Sequence, residues 1–291
     1  MIKVLFLILN YKTYKDTIKL TDELVAEGLS DKFVLIVDNA SPNESFNALS
    51  SRYFDSDKVE VIQSPENGGF AKGNNFGLRY AVKYSPKYVC IINNDVHFKL
   101  DMVDRLCMWY ERLPNVAMIA PVQLLPNGEP AKFESLAIPS IGTDVVSYIP
   151  HLFKFIYPGL LYQAKENTSI LGVYKAGLIP GAFSFIDYNL MSRLGFYDED
   201  TFLFCEERFF AKKAKLAGYD NYIILDESYL HQHSMTINKE ATQKMQKKMI
   251  LKERCNYYRK YSKHPVISIA LLKMASSFGN FYSKVASTIS K

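Results

Sequence analysis

The sequence predicts an α/β fold: a doubly wound, mostly parallel central sheet flanked by helices and followed by a helical tail. Three observations carry that reading. Short apolar, β-branched runs of strand length recur at 3–9, 33–37, 58–63 and 89–92. Helix-like segments separate several of them, the alternation that builds parallel sheets. The runs lead into polar residues, Asn10, Asp38, Asn67 and Asp95, which such a fold gathers on the carboxyl edge of the sheet, where open α/β sheets bind ligands.

A chain of 291 residues with 48% hydrophobic content can build a full core. Its four cysteines, Cys90, Cys107, Cys205 and Cys255, show neither paired nor metal-ligand spacing, which favours a reducing, cytosolic setting. The opening apolar run has no small-residue cleavage site after it and stops at Asn10-Tyr11-Lys12. It therefore reads as the first strand and not as a signal peptide.

In chain order, Thr13 with Asp16 makes a capping-box-like start to a helix running to about Gly28. Strand 33–37 ends in the turn Asp38-Asn39-Ala40-Ser41-Pro42. After strand 58–63, the glycines of Asn67-Gly68-Gly69-Phe70-Ala71-Lys72-Gly73-Asn74 open a helix to about Tyr84. Glycines there serve either close packing or a phosphate cradle; the spacing is neither the dinucleotide fingerprint nor the P-loop. Strand 89–92 delivers Asn93, Asn94 and Asp95. Asp95 is a hard oxygen ligand of the type that holds Mg²⁺ or Mn²⁺ against a diphosphate, or else an ordinary turn residue.

A helix bearing Trp109 and a strand at 116–120 follow. Residues 127–174 read as irregular and aromatic-rich, either a lid or binding segment or an insertion packed on the core. Order returns at 176–186, which contains Gly181 and Ala182, with a short helix near Asn189. A further helix begins at about Glu206 and stops at Gly218. Glu206 and Glu207 either compensate the helix dipole or, among Phe202, Phe204, Phe209 and Phe210, have the apolar surroundings that raise a carboxylate toward general-base use. A last strand at 222–225 leads to His231 and His233, two residues apart and so on one side of an extended segment.

The net charge of +5 is unevenly spread: residues 239–291 hold twelve basic and two acidic side chains, about +10, against about −5 for the body. This divides the chain into a domain at 1–238, with halves 1–125 and 126–238, and a basic helical tail at 239–291. In the tail, Ile250, Tyr257 and Tyr261 share one helical face, and Ile267, Leu271, Met274, Phe278, Phe281 and Val285 repeat at spacings of four and three. Such a helix lies on an anionic membrane surface, or packs on the body or on a second subunit. It is too interrupted to span a bilayer. Nucleic acid is not an expected partner.

The stretches Leu9-Asn10-Tyr11, Val37-Asp38-Asn39, Asn67 through Gly77, Asn93-Asn94-Asp95, Gly181-Ala182, Gly195 through Glu199, Cys205-Glu206-Glu207 and His231 together resemble family 2 glycosyltransferases of the Rossmann-like GT-A fold. The similarity covers about 2–236 and is greatest to the rhamnosyltransferase-like branch of bacterial surface-polysaccharide biosynthesis. It implies an inverting transfer, dependent on Mn²⁺ or Mg²⁺, of a sugar from a UDP- or dTDP-linked donor to a hydroxyl of a glycan. The acceptor would be lipid-linked, on a polyprenyl diphosphate, at the cytoplasmic, inner face of the plasma membrane, in O-antigen or capsule assembly.

By the same resemblance Asp38 contacts the nucleobase, and Asn10, Asn67, Gly69, Asn74, Asn93 and Asn94 line the nucleotide-sugar site. Asp95 binds metal with His231 or His233, Glu207 or Glu206 is the catalytic base, and Gly181 and Ala182 lie on the acceptor side. The chain departs from the family pattern in two places: Asn93 replaces the first metal-motif aspartate, and Glu207 replaces an aspartate. A nucleotidyltransferase would need a glycine- and arginine-rich loop where Asn10-Tyr11-Lys12-Thr13 stands, and a non-catalytic sugar-nucleotide-binding or membrane-scaffold protein is the other alternative.

Overall fold

Alternate residues of β1 (Val4–Asn10) enter two different cores, and this organises the chain. Val4, Phe6 and Ile8 pack on one face of the sheet, Leu5 and Leu7 on the other, all fully buried. The computed structural model describes residues 2–131, 137–148, 171–232 and 239–289. β2 (Lys32–Asp38) and β3 (Val59–Gln63) extend the sheet on one side of β1, and β4 (Tyr88–Ile92) joins on the other; all three pairings are parallel. The register sets Asn10 opposite Asp38 and Asp38 opposite Gln63. The polar strand ends therefore do lie side by side where the strand order reverses around β1.

The rest of the sheet is mixed. β5 (Val96–His97), β6 (Val116–Leu124), β7 (Val173–Ala176), β8 (Phe183–Asp187) and β9 (Asp220–His231) complete the order β3-β2-β1-β4-β8-β6-β9-β5, with β7 also on β9. β8 runs antiparallel to both β4 and β6, while β6 and β9 are parallel. The single ordered stretch expected at 176–186 is thus two strands, parted by a loop that holds Gly181 and Ala182.

Helices α1 (Tyr14–Glu27), α2 (Ser45–Arg52), α3 (Gly69–Tyr80) and α4 (Asp101–Arg112) flank the sheet. α2 was not expected: Ser-Phe-Asn-Ala-Leu-Ser-Ser-Arg buries only Ser45 and Leu49, too weak a stripe to read. α5 (Ile141–Ser147) lies inside the segment expected to be irregular, capped by Ser140, whose hydroxyl accepts from the Thr143 N–H. The aromatic-rich stretch after Tyr148 falls at 149–170, outside the described residues. The Thr13 capping box does not form as expected: its hydroxyl makes no capping bond and instead accepts from Asn94 Nδ2 at 2.7 Å.

α6 (Tyr188–Arg193) and α7 (Glu206–Leu216) precede the tail helices α8 (Lys239–Tyr261) and α9 (Pro265–Ile289). α8 docks on the body: Tyr257 and Tyr258 form a buried cluster with Phe209 of α7 and Leu272 of α9. Glu253, fully buried, accepts from the Phe202 N–H at 3.4 Å, Asn256 donates to the Asp200 carbonyl, and Lys260 pairs with Asp198. α9 buries Ser268, Leu272, Ala275 and Ser276, while Val266, Ile267, Leu271, Met274, Phe278 and Phe281 stay exposed.

Candidate active site

The nucleotide side is a tightly bonded polar floor. Asp38 is fully buried; its Oδ2 accepts from Asn10 Nδ2 at 2.8 Å, and its Oδ1 from the Ser41 N–H at 2.9 Å and from Gln63 at 3.2 Å. Asn10 Oδ1 accepts in turn from Thr17 at 2.8 Å. Asn67 Oδ1 accepts from the Gly69 N–H and from Asn39, a residue the sequence reading did not single out. Buried polar groups satisfied in this way fix one arrangement of the strand ends.

The glycines of α3 serve close approach. A Cβ on Gly69 would stand 2.0 Å from the Phe202 carbonyl oxygen, and φ there is +81°. Cβ atoms on Gly73 and Gly77 would meet Leu9 and Leu7 of β1. The N–H groups of Gly68, Gly69 and Phe70 are already given to the Glu66 carbonyl, Asn67 Oδ1 and the Phe202 carbonyl. Of the two alternatives the sequence left open for these glycines, close packing is the one their contacts favour, since these N–H donors have intramolecular acceptors. Asn74 is likewise turned inward, fully buried with Nδ2 on the Phe70 carbonyl.

On the β4 side, the Asn93 N–H donates to the Ala182 carbonyl at 3.0 Å. Asn94 Nδ2 holds α1 through Thr13 and Thr17 Oγ1, the latter at 2.9 Å. Asp95 Oδ1 lies 3.1 Å from His231 Nε2, both side chains mostly buried, because β5 pairs Val96 with His231. His231 Nδ1 faces Gln123 Nε2 at 3.2 Å, and Gln123 Oε1 accepts from Tyr229 at 3.1 Å. This outer partner of the imidazole was missed because one glutamine in a strand carries no pattern. His233 lies outside the described residues.

The third side is the start of α7. Phe204 and Cys205 both adopt left-handed backbone, φ +70° and +67°, immediately before Glu206 and Glu207, a costly geometry that concentrates at functional sites. The two carboxylates converge on Gly181: a Cβ there would stand 3.3 Å from Glu207 Oε1 and 3.9 Å from Glu206 Oε1. Burial pushes the Glu206 carboxyl well above the usual carboxylate range, helped by the negative charge of Glu207, and its Oε2 has no hydrogen-bond partner among the described residues. Burial also raises Glu207, but that carboxylate accepts from the Gly181 N–H, which opposes the rise. Both carboxyls are thus raised by burial, and so close together they titrate as a pair.

Arg208 anchors this turn. Its guanidinium meets Asp144 of α5 at 2.6 Å and Tyr258 of α8 at 2.8 Å and lies 4.0 Å from the Tyr257 ring centroid. Asp144 also accepts from Tyr258 at 2.6 Å. Both charges are almost wholly buried, so removing one strands the other. Asp144→Ala is expected to lower unfolding free energy in urea by about 3–5 kcal/mol; a change under about 1 kcal/mol would show the pair to be dispensable.

The strand order, the Asp95–His231 pair and the two glutamates can be set beside known proteins. The "Low-salt glycan biosynthesis hexosyltransferase Agl10" of Haloferax volcanii is 24% identical over 72% of this chain, and the chain spans 60% of that relative's length. The mannosyltransferase PcManGT of Pyrobaculum calidifontis, solved with GDP-Man and Mn²⁺, superposes with a TM-score of 0.63 at 15% identity, covering 98% of this chain and 75% of the other. TarS of S. aureus in complex with UDP gives 0.54 at 15%, covering 93% and 70%. Likeness at such identity speaks to the GT-A fold. Membership rests on residues 6–161, more than half the chain, which match the model of Glycosyl transferase family 2; the chain belongs to that family.

Proposed function

We propose that the protein is an inverting hexosyltransferase that moves a sugar from a UDP- or dTDP-hexose to a hydroxyl of a glycan acceptor. One observation carries the reading. The dipeptide Gly181-Ala182 touches both halves of the chemistry: a Cβ on Gly181 would stand 3.3 Å from Glu207 Oε1, and the Ala182 carbonyl accepts from the Asn93 N–H. Base and donor-side motif are thereby fixed to one short loop.

Glu207 takes the proton of the acceptor hydroxyl. The acceptor oxygen forms its bond to the anomeric carbon as the bond from that carbon to the donor phosphate breaks, with inversion, and the nucleoside diphosphate leaves. Asn10, Asp38 and Asn67 hold the nucleoside end in register, which supplies much of the rate through positioning. A carboxylate and an imidazole 3.1 Å apart suit Mn²⁺ or Mg²⁺. Turning the Gln123 amide over places the imidazole proton on Nδ1 and leaves Nε2 free to ligate. Asp95 and His231 would hold the cation, whose charge stabilises the departing diphosphate. Among the described residues no third His, Cys, Asp or Glu joins them, and donor oxygens would supply further ligands.

We further propose that residues 1–238 carry the transferase chemistry, with α8 packed on them as part of the same unit, and that the acceptor is a glycan on a polyprenyl diphosphate at the inner face of the plasma membrane, the class suited to a glycan-biosynthesis enzyme with an apolar tail face. A thermal-shift titration with UDP-, dTDP- and GDP-hexoses, with and without Mn²⁺, tests the donor reading. A donor at a hundredfold excess over Kd adds about 2.7 kcal/mol of stability. A metal-dependent rise with one donor is the expected result; no rise with any of them sinks the proposal.

A further inference from the structure

The two faces of α9 meet different surroundings. The inward one packs on the body: Leu272 and Ile269 join the cluster of Phe209, Tyr257 and Tyr258, with Ser268, Ala275 and Ser276 beside them and Gly279 so close that a Cβ would stand 2.1 Å from the Tyr148 carbonyl oxygen. The outward one carries Val266, Ile267, Leu271, Met274, Phe278 and Phe281, each between 45 and 80% exposed. The last five follow one another at four- and three-residue steps, a continuous stripe about 21 Å long. Scattered apolar side chains are normal on a protein surface, but a contiguous row on one helix marks a contact surface.

We infer that this stripe seats in the interface of an anionic lipid bilayer, with the axis of α9 lying in the membrane plane. Charge decides between that occupant and a second copy. No acidic residue occurs from Pro265 to the last residue, whereas Lys273 lies exposed on the same helix. On α8, Lys247, Lys248, Lys252 and Arg259 are exposed, and of its two acidic residues, Glu240 and Glu253, the second is buried. A second copy would set two such basic surfaces against each other; acidic headgroups would neutralise them. Lysine stems reach upward from an apolar face and keep the ammonium among headgroups. Among the described residues no helix is long and apolar enough to cross a membrane, which leaves the interfacial mode. α8 also holds the Phe202 N–H and Asp198, so the seated helix and the turn before Glu206 belong to one packed unit, close to a lipid-borne acceptor.

The inference does not rest on the transferase reading, and its test reads no activity. Full-length protein is floated with vesicles of phosphatidylcholine alone and with phosphatidylglycerol added, at low and high salt, and its oligomeric state is measured without lipid. Expected is binding to the anionic vesicles only, weakened by salt, and at least about tenfold weaker in Phe278→Glu/Phe281→Glu with an unchanged melting temperature. Ile267→Ser/Met274→Ser, a milder pair, replaces it if that variant fails to fold. No binding to anionic vesicles, or equal binding by the folded variant, overturns the inference. So does a dimer in solution that the same substitutions convert to monomer, which would assign the stripe to a second copy.

Discussion

Glu207→Gln is expected to lower kcat by about 10²–10⁴-fold, the worth of a positioned general base, while donor affinity stays within about twofold of wild type. Glutamine keeps the size of the side chain and, through its carbonyl, the acceptor for the Gly181 N–H, so the turn before α7 is preserved and only the proton acceptor is lost. The separation of the two glutamates follows from their surroundings. Burial raises both carboxyls and a backbone N–H opposes the rise at each; Glu207 has the Gly181 N–H in addition, whereas Glu206 has an oxygen without a partner among the described residues.

The sign of the pH dependence follows. A base raised by burial must lose its proton to act, so kcat/KM is expected to fall as pH drops through a value above the ordinary carboxylate range, and to be level above it. Single-turnover rates measured across that range, beside thermal-shift titration with donor, check both halves. A Glu207→Gln enzyme that keeps turnover near wild type removes Glu207 from the role and directs attention to Glu206. One that also loses donor binding shows that the substitution disturbed the loop instead.

What the sequence made legible is the parallel half of the sheet. Four apolar runs, each meeting polar residues at its end, require little more than period and punctuation to read, and the register of Asn10, Asp38 and Gln63 follows once the strands are parallel. The direction of β8 was not legible, since Phe-Ser-Phe-Ile-Asp looks the same in either sense and its partners lie far away in the chain. The clasp around Arg208 was hidden for a related reason. Asp144 and Tyr258 lie 64 and 50 positions from Arg208, with no periodicity to signal that a buried charge needs them. The α9 stripe reads as an amphipathic face, but which side meets the body is set by Leu272 in its cluster with Phe209 and by Gly279 against Tyr148. Asn94 and the α3 glycines were matched to a motif in the sequence, but not legible there were their structural contacts: Asn94 holds α1, Gly69 approaches the Phe202 loop, and Gly73 and Gly77 approach β1.

Asp95→Ala is expected to remove the metal-dependent part of donor binding, weakening it at least about a hundredfold and lowering kcat/KM by about 10²–10³, the several kcal/mol that charge stabilisation of a leaving group is worth. The loss is large because Asn93 stands where a second carboxylate would share the charge, so among the described residues Asp95 alone brings a negative charge to the pair it makes with His231. The fold should survive the change. The Asp95 carbonyl, which accepts from the Gln232 N–H, is backbone, and β5 keeps its pairing with β9. Asp95→Asn separates charge from shape: the amide can still meet His231, yet as a neutral ligand it should bind Mn²⁺ nearly as poorly as alanine. Thermal shifts with donor at graded Mn²⁺ decide the matter without reference to turnover. If both variants retain the wild-type dependence on metal, Asp95 is a structural partner of His231 and the cation is held elsewhere. If Asp95→Ala alone loses it, the hydrogen bond to His231 matters more than the charge.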